Sequence, residues 1–76
     1  MIQELDVVVL SHNIDEYGLR QGDIGAVVYV YSSGPAYEVE FVTGEGETVA
    51  VLTLTNDDIR GMNEREILHA RELIPV

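Results

Sequence analysis

Short apolar segments separated by turn residues are the feature of this sequence that most restricts its fold. β-Branched and aromatic residues dominate four such segments, at positions 5–10, 24–31, 36–42 and 47–54. Glycine, proline, serine, asparagine or aspartate closely follows each of them. Short strands at this spacing, bounded by turn residues, are typical of a small all-β domain.

The third and fourth segments also indicate which side chains face the core. In an alternating strand, apolar residues face the core and charged ones the solvent. The predicted core-facing residues of the third segment are Tyr37, Val39 and Phe41, and its outer residues are Glu38 and Glu40. In the fourth segment the predicted inner residues are Ala50, Leu52 and Leu54, and the outer ones are Val49, Val51 and Thr53.

The connections between the segments differ in length. Residues 11–23 form a long polar loop with two apolar anchors, Ile14 and Leu19. Residues 55–60 begin with capping residues followed by acids, which predicts a single helical or 3₁₀ turn that ends at Gly61. The tail, residues 63–76, has helix formers but no clean periodicity, so it is predicted as a closing strand or a short helix, with the strand favoured.

The chain is long enough for one domain with a core of its own. It has 76 residues and no cysteine, so neither a disulfide scaffold nor a cysteine-based metal site is available. We predict a mainly β, five-stranded SH3-like barrel over residues 1–62, with a long loop after strand 1, one 3₁₀ turn and a C-terminal extension over 63–76. The alternative architecture is an open antiparallel sheet with one C-terminal helix.

Charge restricts the classes of partner. The net charge is -10, from 14 acidic residues and four arginines, and there is no lysine. Such a chain repels nucleic acid and anionic membranes at long range and is steered toward basic proteins. The apolar run near the start is too short for a signal or membrane segment, so a cytoplasmic location is expected.

No arrangement of residues indicates catalysis, a metal or a cofactor. Gly22-Asp23-Ile24-Gly25 formally matches a nucleic-acid clamp, but a strand follows it, so we interpret it as a structural turn in which Asp23 bonds backbone N–H groups. Two lone histidines do not make a zinc site; His12 is expected to end strand one and His69 to pair with a nearby acid. Four further acidic residues are expected to be exposed and solvated: Glu45, Glu47, Asp57 and Asp58.

The second segment, residues 24–31, has apolar residues on both faces, whereas a barrel strand buries only one. Either the strand bends and serves two parts of the core, or an outward tyrosine-bearing surface is available to a partner. The candidate contact residues are Tyr29, Tyr31, Glu38, Glu40, Val49 and Val51. The apolar residues of the tail are a second candidate contact, with a partner or with a second copy in a homodimer.

Three blocks of the sequence carry a resemblance to a known family. Residues 5–8, 18–28 and 37–41 (LDVV, GLRQGDIGAVV and YEVEF) resemble a bacterial domain-of-unknown-function family, number 4926. The resemblance implies an SH3-like fold and brings no catalytic residue, because no activity is established for the family. Some members are encoded beside small proteins of toxin–antitoxin type, which implies a binding role. Residues 22–28 are also similar, to a lesser degree, to the KOW motif of ribosomal and transcription domains.

The expected function is therefore a non-enzymatic, acidic protein-interaction module, in its concrete form an antitoxin-like partner that neutralises a basic protein. The alternative is a KOW-like accessory domain that contacts RNA or the translation machinery, which the net charge disfavours. An enzyme is not expected.

Overall fold

Five strands and one short helical turn account for the regular structure of the chain. A computed structural model describes residues 2–74. The elements in chain order are β1 (Val7–Leu10), a 3₁₀ helix (Asp15–Tyr17), β2 (Ile24–Val30), β3 (Ala36–Val42), β4 (Thr48–Thr55) and β5 (Ile59–Gly61). The prediction of a mainly β fold with one 3₁₀ turn is confirmed.

All five strands belong to one antiparallel sheet in the order β4-β3-β2-β1-β5. The first four strands form a meander, and β5 returns to pair with β1. This order is consistent with an SH3-like fold. β4 and β5 are the two edges, yet Leu54 and Ile59 contribute to the same hydrophobic core, so the sheet curves around one apolar interior.

The alternation predicted for β3 is confirmed. Tyr37, Val39 and Phe41 are buried, with 7%, 0% and 2% of their surfaces exposed. The two anchors of the long loop also reach the core: Leu19 is buried, and Ile14 packs against the core and pairs with Leu19 through a β-bridge. The long connection is therefore held to the sheet by apolar contacts and carries the only 3₁₀ helix of the described residues.

A bulge in β2 explains why this strand is apolar on both faces. Val27 pairs with Val39, but the next pair is Tyr29 with Glu38, so Val28 has no partner in the ladder. The extra residue reverses which residues face inward. Val27 is buried before the bulge and Val30 packs against the core after it, whereas Val28 and Tyr29 are exposed.

A second bulge, in β4, corrects the predicted position of Val49. Phe41 pairs with Ala50 and Val42 with Thr48, which leaves Val49 unpaired between them. Val49 is half-buried and packs against the core instead of lying outward beside Val51. The prediction was wrong because it assumed strict alternation along β4, and a bulge inserts an extra residue that interrupts this alternation.

Two predicted boundaries also differ. β1 begins at Val7 and not at residue 5, because Leu5 has a left-handed φ of 73° that is incompatible with a strand. The stretch 55–60 forms a hydrogen-bonded turn, in which the Asp58 N–H donates to the Thr55 carbonyl at 2.9 Å, and then the start of β5. The 3₁₀ helix lies instead in the long loop.

The tail does not close the sheet. Its described part, residues 63–74, contains neither strand nor helix, and residues 75 and 76 of the predicted extension lie outside the described residues. The strand after β4 is β5, which pairs with β1 through Ile59, Arg60 and Gly61 and lies at the edge of the sheet. The fifth strand of the sheet is therefore formed by residues that precede the tail.

Gly25 is required by a close approach of two strands. A Cβ atom at this position would lie 2.6 Å from Val39 Cγ1 and 2.9 Å from Phe41 Cε1, both in the core. Gly25→Ala should lower the free energy of unfolding by about 1–3 kcal/mol, because the core has no room for the added methyl group. Urea denaturation measures this loss. Gly44→Ala is the matched control, since nothing lies within 4 Å of a Cβ there; an equal effect of both substitutions would contradict the packing argument.

Candidate functional site

The outer face of the sheet carries an exposed patch of tyrosine and valine. We use the term outer face for the solvent side of β2, β3 and β4 around Val28, Tyr29, Tyr31, Glu38, Glu40 and Val51. Tyr29 is 50% exposed, Tyr31 37%, Val28 43% and Val51 48%. Apolar area of this kind, collected on one side of a sheet, is available for contact with another molecule.

Strand register brings these residues together. Tyr29 lies opposite Glu38, which in turn lies opposite Thr53 on β4. Glu40 lies opposite Val51. The two tyrosine rings meet edge to face, with their centroids 5.0 Å apart. The result is an aromatic pair at one end of the patch and a valine at the other, with two carboxylates between them.

Hydrogen bonds hold both carboxylates in place. The Tyr31 hydroxyl donates to Glu38 Oε1 at 3.1 Å, and the Thr53 hydroxyl donates to the same oxygen. The Thr48 hydroxyl donates to Glu40 Oε2 at 2.7 Å. The hydrogen bond to Glu38 raises the pKa of Tyr31, so its hydroxyl remains a donor at neutral pH.

Within residues 2–74 neither carboxylate has a cationic partner. Among residues 2–74 the ion pairs are His12–Asp58, Arg60–Glu66 and Arg71–Asp23, and none involves Glu38 or Glu40. The outer face therefore keeps its negative charge. It can accept hydrogen bonds and attract a cation, but it holds no nucleophile–base pair.

Five of the six predicted contact residues meet on this face: Tyr29, Tyr31, Glu38, Glu40 and Val51. Val49 is the exception, because the bulge in β4 turns it toward the core. The outer face also includes Val28, which is not among the predicted contact residues. The bulge that exposes it could not be recognised from the sequence, because every residue around it is apolar.

The family model described as Domain of unknown function (DUF4926) matches residues 4–61. The chain belongs to this family. The match includes all five strands and ends with β5, so the tail lies beyond it. No curated protein and no solved structure matches the chain.

Arg71, in the tail of this DUF4926 protein, makes a contact that sequence reasoning missed. Its Nε donates to Asp23 Oδ1 at 2.7 Å, and its Nη2 donates to the Gly18 carbonyl at 2.9 Å. The predicted local role of Asp23 is confirmed as well, since the Arg20 N–H donates to its Oδ2 at 2.8 Å. Partial burial raises the pKa of Asp23, but the hydrogen bonds from Arg71 and Arg20 outweigh it, and the net pKa is lowered.

A second arginine holds the beginning of the tail. Arg60 forms a two-pronged pair with Glu66, with N–O distances of 2.8 and 2.7 Å, and the Asn63 N–H also donates to Glu66. These hydrogen bonds, that from Arg60 above all, lower the pKa of Glu66 to about 2. Glu66 is therefore ionised at all physiological pH values.

His12 pairs with Asp58 and lies just beyond β1, which ends at Leu10 and not at His12 as expected. Its Nε2 lies 2.7 Å from Asp58 Oδ1, and its Nδ1 lies 3.0 Å from the Asn13 carbonyl. Both ring nitrogens therefore face acceptors, which favours the doubly protonated ring, and the Asp58 hydrogen bond raises the pKa of His12. For His69 the expected acid partner is not found: within residues 2–74 no carboxylate lies at ion-pair distance from it.

The described residues contain no group of three or more histidine, cysteine, aspartate or glutamate side chains that could hold a metal ion. None of the helices in this part of the chain could cross a membrane.

The raised pKa of His12 predicts a dependence of stability on pH. In the unfolded chain its pKa is about 6.5. The stabilisation from its protonation is therefore complete below that pH and is lost as the pH rises through the higher native pKa. Wild type should melt at a higher temperature than His12→Gln at about pH 5, and this difference should shrink by about pH 9.

Thermal denaturation monitored by circular dichroism measures this difference. His69→Gln is the control, because it removes a histidine that is in none of the ion pairs of residues 2–74. A melting-temperature difference between wild type and His12→Gln that stays the same at both pH values would contradict the assignment.

Proposed function

We propose that this DUF4926 domain is a non-enzymatic protein-binding module and that the outer face contacts a basic partner protein. The observation that carries the proposal is the exposed Tyr29–Tyr31 pair beside two carboxylates, Glu38 and Glu40, that no cation of the described residues neutralises.

The apolar part of the face supports binding of a protein surface. Tyrosine supplies a large contact area and a hydroxyl group at a small cost in conformational entropy. Here the Tyr31 hydroxyl already donates to Glu38, and the two tyrosine rings pack edge to face, so both side chains have contacts that restrict their conformations before a partner binds. Preordered side chains reduce the entropy lost on association.

The charge of the face supports a basic partner. The chain has 14 acidic residues and only four arginines. Two of those arginines, Arg60 and Arg71, are already paired with Glu66 and Asp23. A lysine or arginine of the partner that reached Glu38 would also lie near the Tyr31 ring, where a cation–π contact adds to the ion pair. The long-range field would increase the association rate at low salt.

The concrete form that we propose is antitoxin-like, in which the domain occludes a surface of a basic protein. This form rests on the family resemblance. The alternative, contact with RNA, gains no support from the outer face, since its charged side chains are carboxylates that repel phosphate.

Two pairs of substitutions test the outer face. Tyr29→Ser with Val51→Ser removes apolar contact area, and Glu38→Lys with Glu40→Lys reverses the charge. Each pair should weaken binding to the native partner at least about tenfold, because central aromatic and charged contacts dominate interface energies. The partner is captured from the source organism with the wild-type chain, identified, purified and titrated calorimetrically.

Ile67→Ser is the matched control, because Ile67 is an exposed apolar residue of the tail, 89% exposed, and lies outside the sheet. It should leave the affinity unchanged. Undiminished binding by both outer-face variants would refute the proposal. A gel shift of RNA by the wild-type chain that weakens steeply with salt would favour the alternative.

A further inference from the structure

A groove of about 280 Å³ lies between the body of the domain and its own tail. Leu19 and Ile24 line it from the β1–β2 side, and Phe41 and Val49 line it from the β3–β4 hairpin. Ala70, Arg71 and Leu73 border it from the tail. The tail therefore crosses a groove whose lining is apolar in part and leaves some of its volume unfilled.

Arg71 makes the polar contacts that attach the tail over this groove. Arg71 bonds to Asp23 and to the Gly18 carbonyl, and the side chains of the Arg71–Asp23 pair are only 27% and 17% exposed. Among the neighbouring apolar residues of the tail, Leu73 borders the groove and is 38% exposed, whereas Ile67, Leu68 and Ile74 are 89%, 66% and 63% exposed and contribute little burial. The segment also has no regular structure between residues 66 and 74.

We propose that this groove is a docking site for an extended, arginine-bearing segment of a partner protein, and that the tail occupies it as an intramolecular competitor. The tail shows which chemistry the site accepts: a guanidinium between the Asp23 carboxylate and the Gly18 carbonyl, on a chain in a non-helical conformation. The unfilled apolar volume beside it accepts a larger side chain than the tail supplies. This site is separate from the outer face and does not rest on the function proposed for that face.

The tail can be displaced from the groove at a low cost in free energy. A segment with few buried apolar contacts and no backbone ladder opens at a low free-energy cost relative to the sheet. A competing segment can bind only those molecules in which the tail has left the groove. Its apparent affinity is therefore its intrinsic affinity multiplied by the fraction of molecules with a free groove. A partner segment that makes the same charge-assisted hydrogen bonds and fills the apolar volume gains the contacts that the tail lacks.

The test uses the full chain and a fluorescein-labelled peptide of residues 62–74, MNEREILHARELI, followed by fluorescence polarisation. In the Arg71→Gln chain the competitor is weakened, so the peptide should bind at least about tenfold more tightly than to wild type. The double variant Asp23→Asn with Arg71→Gln lacks the carboxylate that accepts from the arginine. It should therefore bind the peptide more weakly than the Arg71→Gln chain does. A peptide with glutamine at the position of Arg71 should bind the Arg71→Gln chain about tenfold more weakly than the native peptide.

Arg65→Gln is the matched control, because it removes the same charge from the tail but lies in none of the ion pairs of residues 2–74. It should bind the peptide as wild type does. Thermal denaturation confirms that every variant is folded. Equal peptide affinity for wild type and Arg71→Gln, or no measurable binding to Arg71→Gln, would overturn the proposal. Equal binding of the two peptides would overturn the role of the guanidinium.

Discussion

The bulge at Val28 is the constraint on which both the core and the outer face depend. Without it, the alternation set by Val27 would continue, and Tyr29 would point into the interior with Val30 outward. The extra residue lets Val27 and Val30 both contribute to the core while Tyr29 and Tyr31 meet on the solvent side. A single unpaired residue thus allows a strand that is apolar throughout to serve a small core and to present aromatic surface.

Gly25 shows how closely the packing limits this strand. Its lack of a side chain lets β2 cross against Val39 and Phe41, and those two residues are among the most buried of β3. The backbone of β2 thus lies close to β3 before the bulge, and after the bulge it directs the tyrosines to the solvent. The GDIG sequence is accordingly a structural element, with Gly22 at a left-handed φ of 95° and Gly25 at a close approach.

Local patterns predicted much of this fold. The alternation of β3, the anchors Ile14 and Leu19 and the five-stranded β class all follow from side chains close together in the sequence, where polarity and turn chemistry determine the outcome. The positions of Val28 and Val49 could not be predicted, because a bulge changes the register by a residue without changing composition. The pairing of Arg71 with Asp23 was also inaccessible, since 48 residues separate the partners and the tail has no periodicity that would indicate its path.

The distribution of arginines connects the charge of the chain with its architecture. In a protein with -10 net charge and no lysine, each arginine that pairs with a carboxylate relieves strong self-repulsion. Arg60 pairs with a carboxylate of the tail, and Arg71 pairs the tail with Asp23 of the body, so both of these cations are used to attach a segment outside the family match. The outer face receives none. Among residues 2–74 the arginine–carboxylate pairs are therefore concentrated where the tail meets the domain, and Glu38 and Glu40 of the sheet are in none of them.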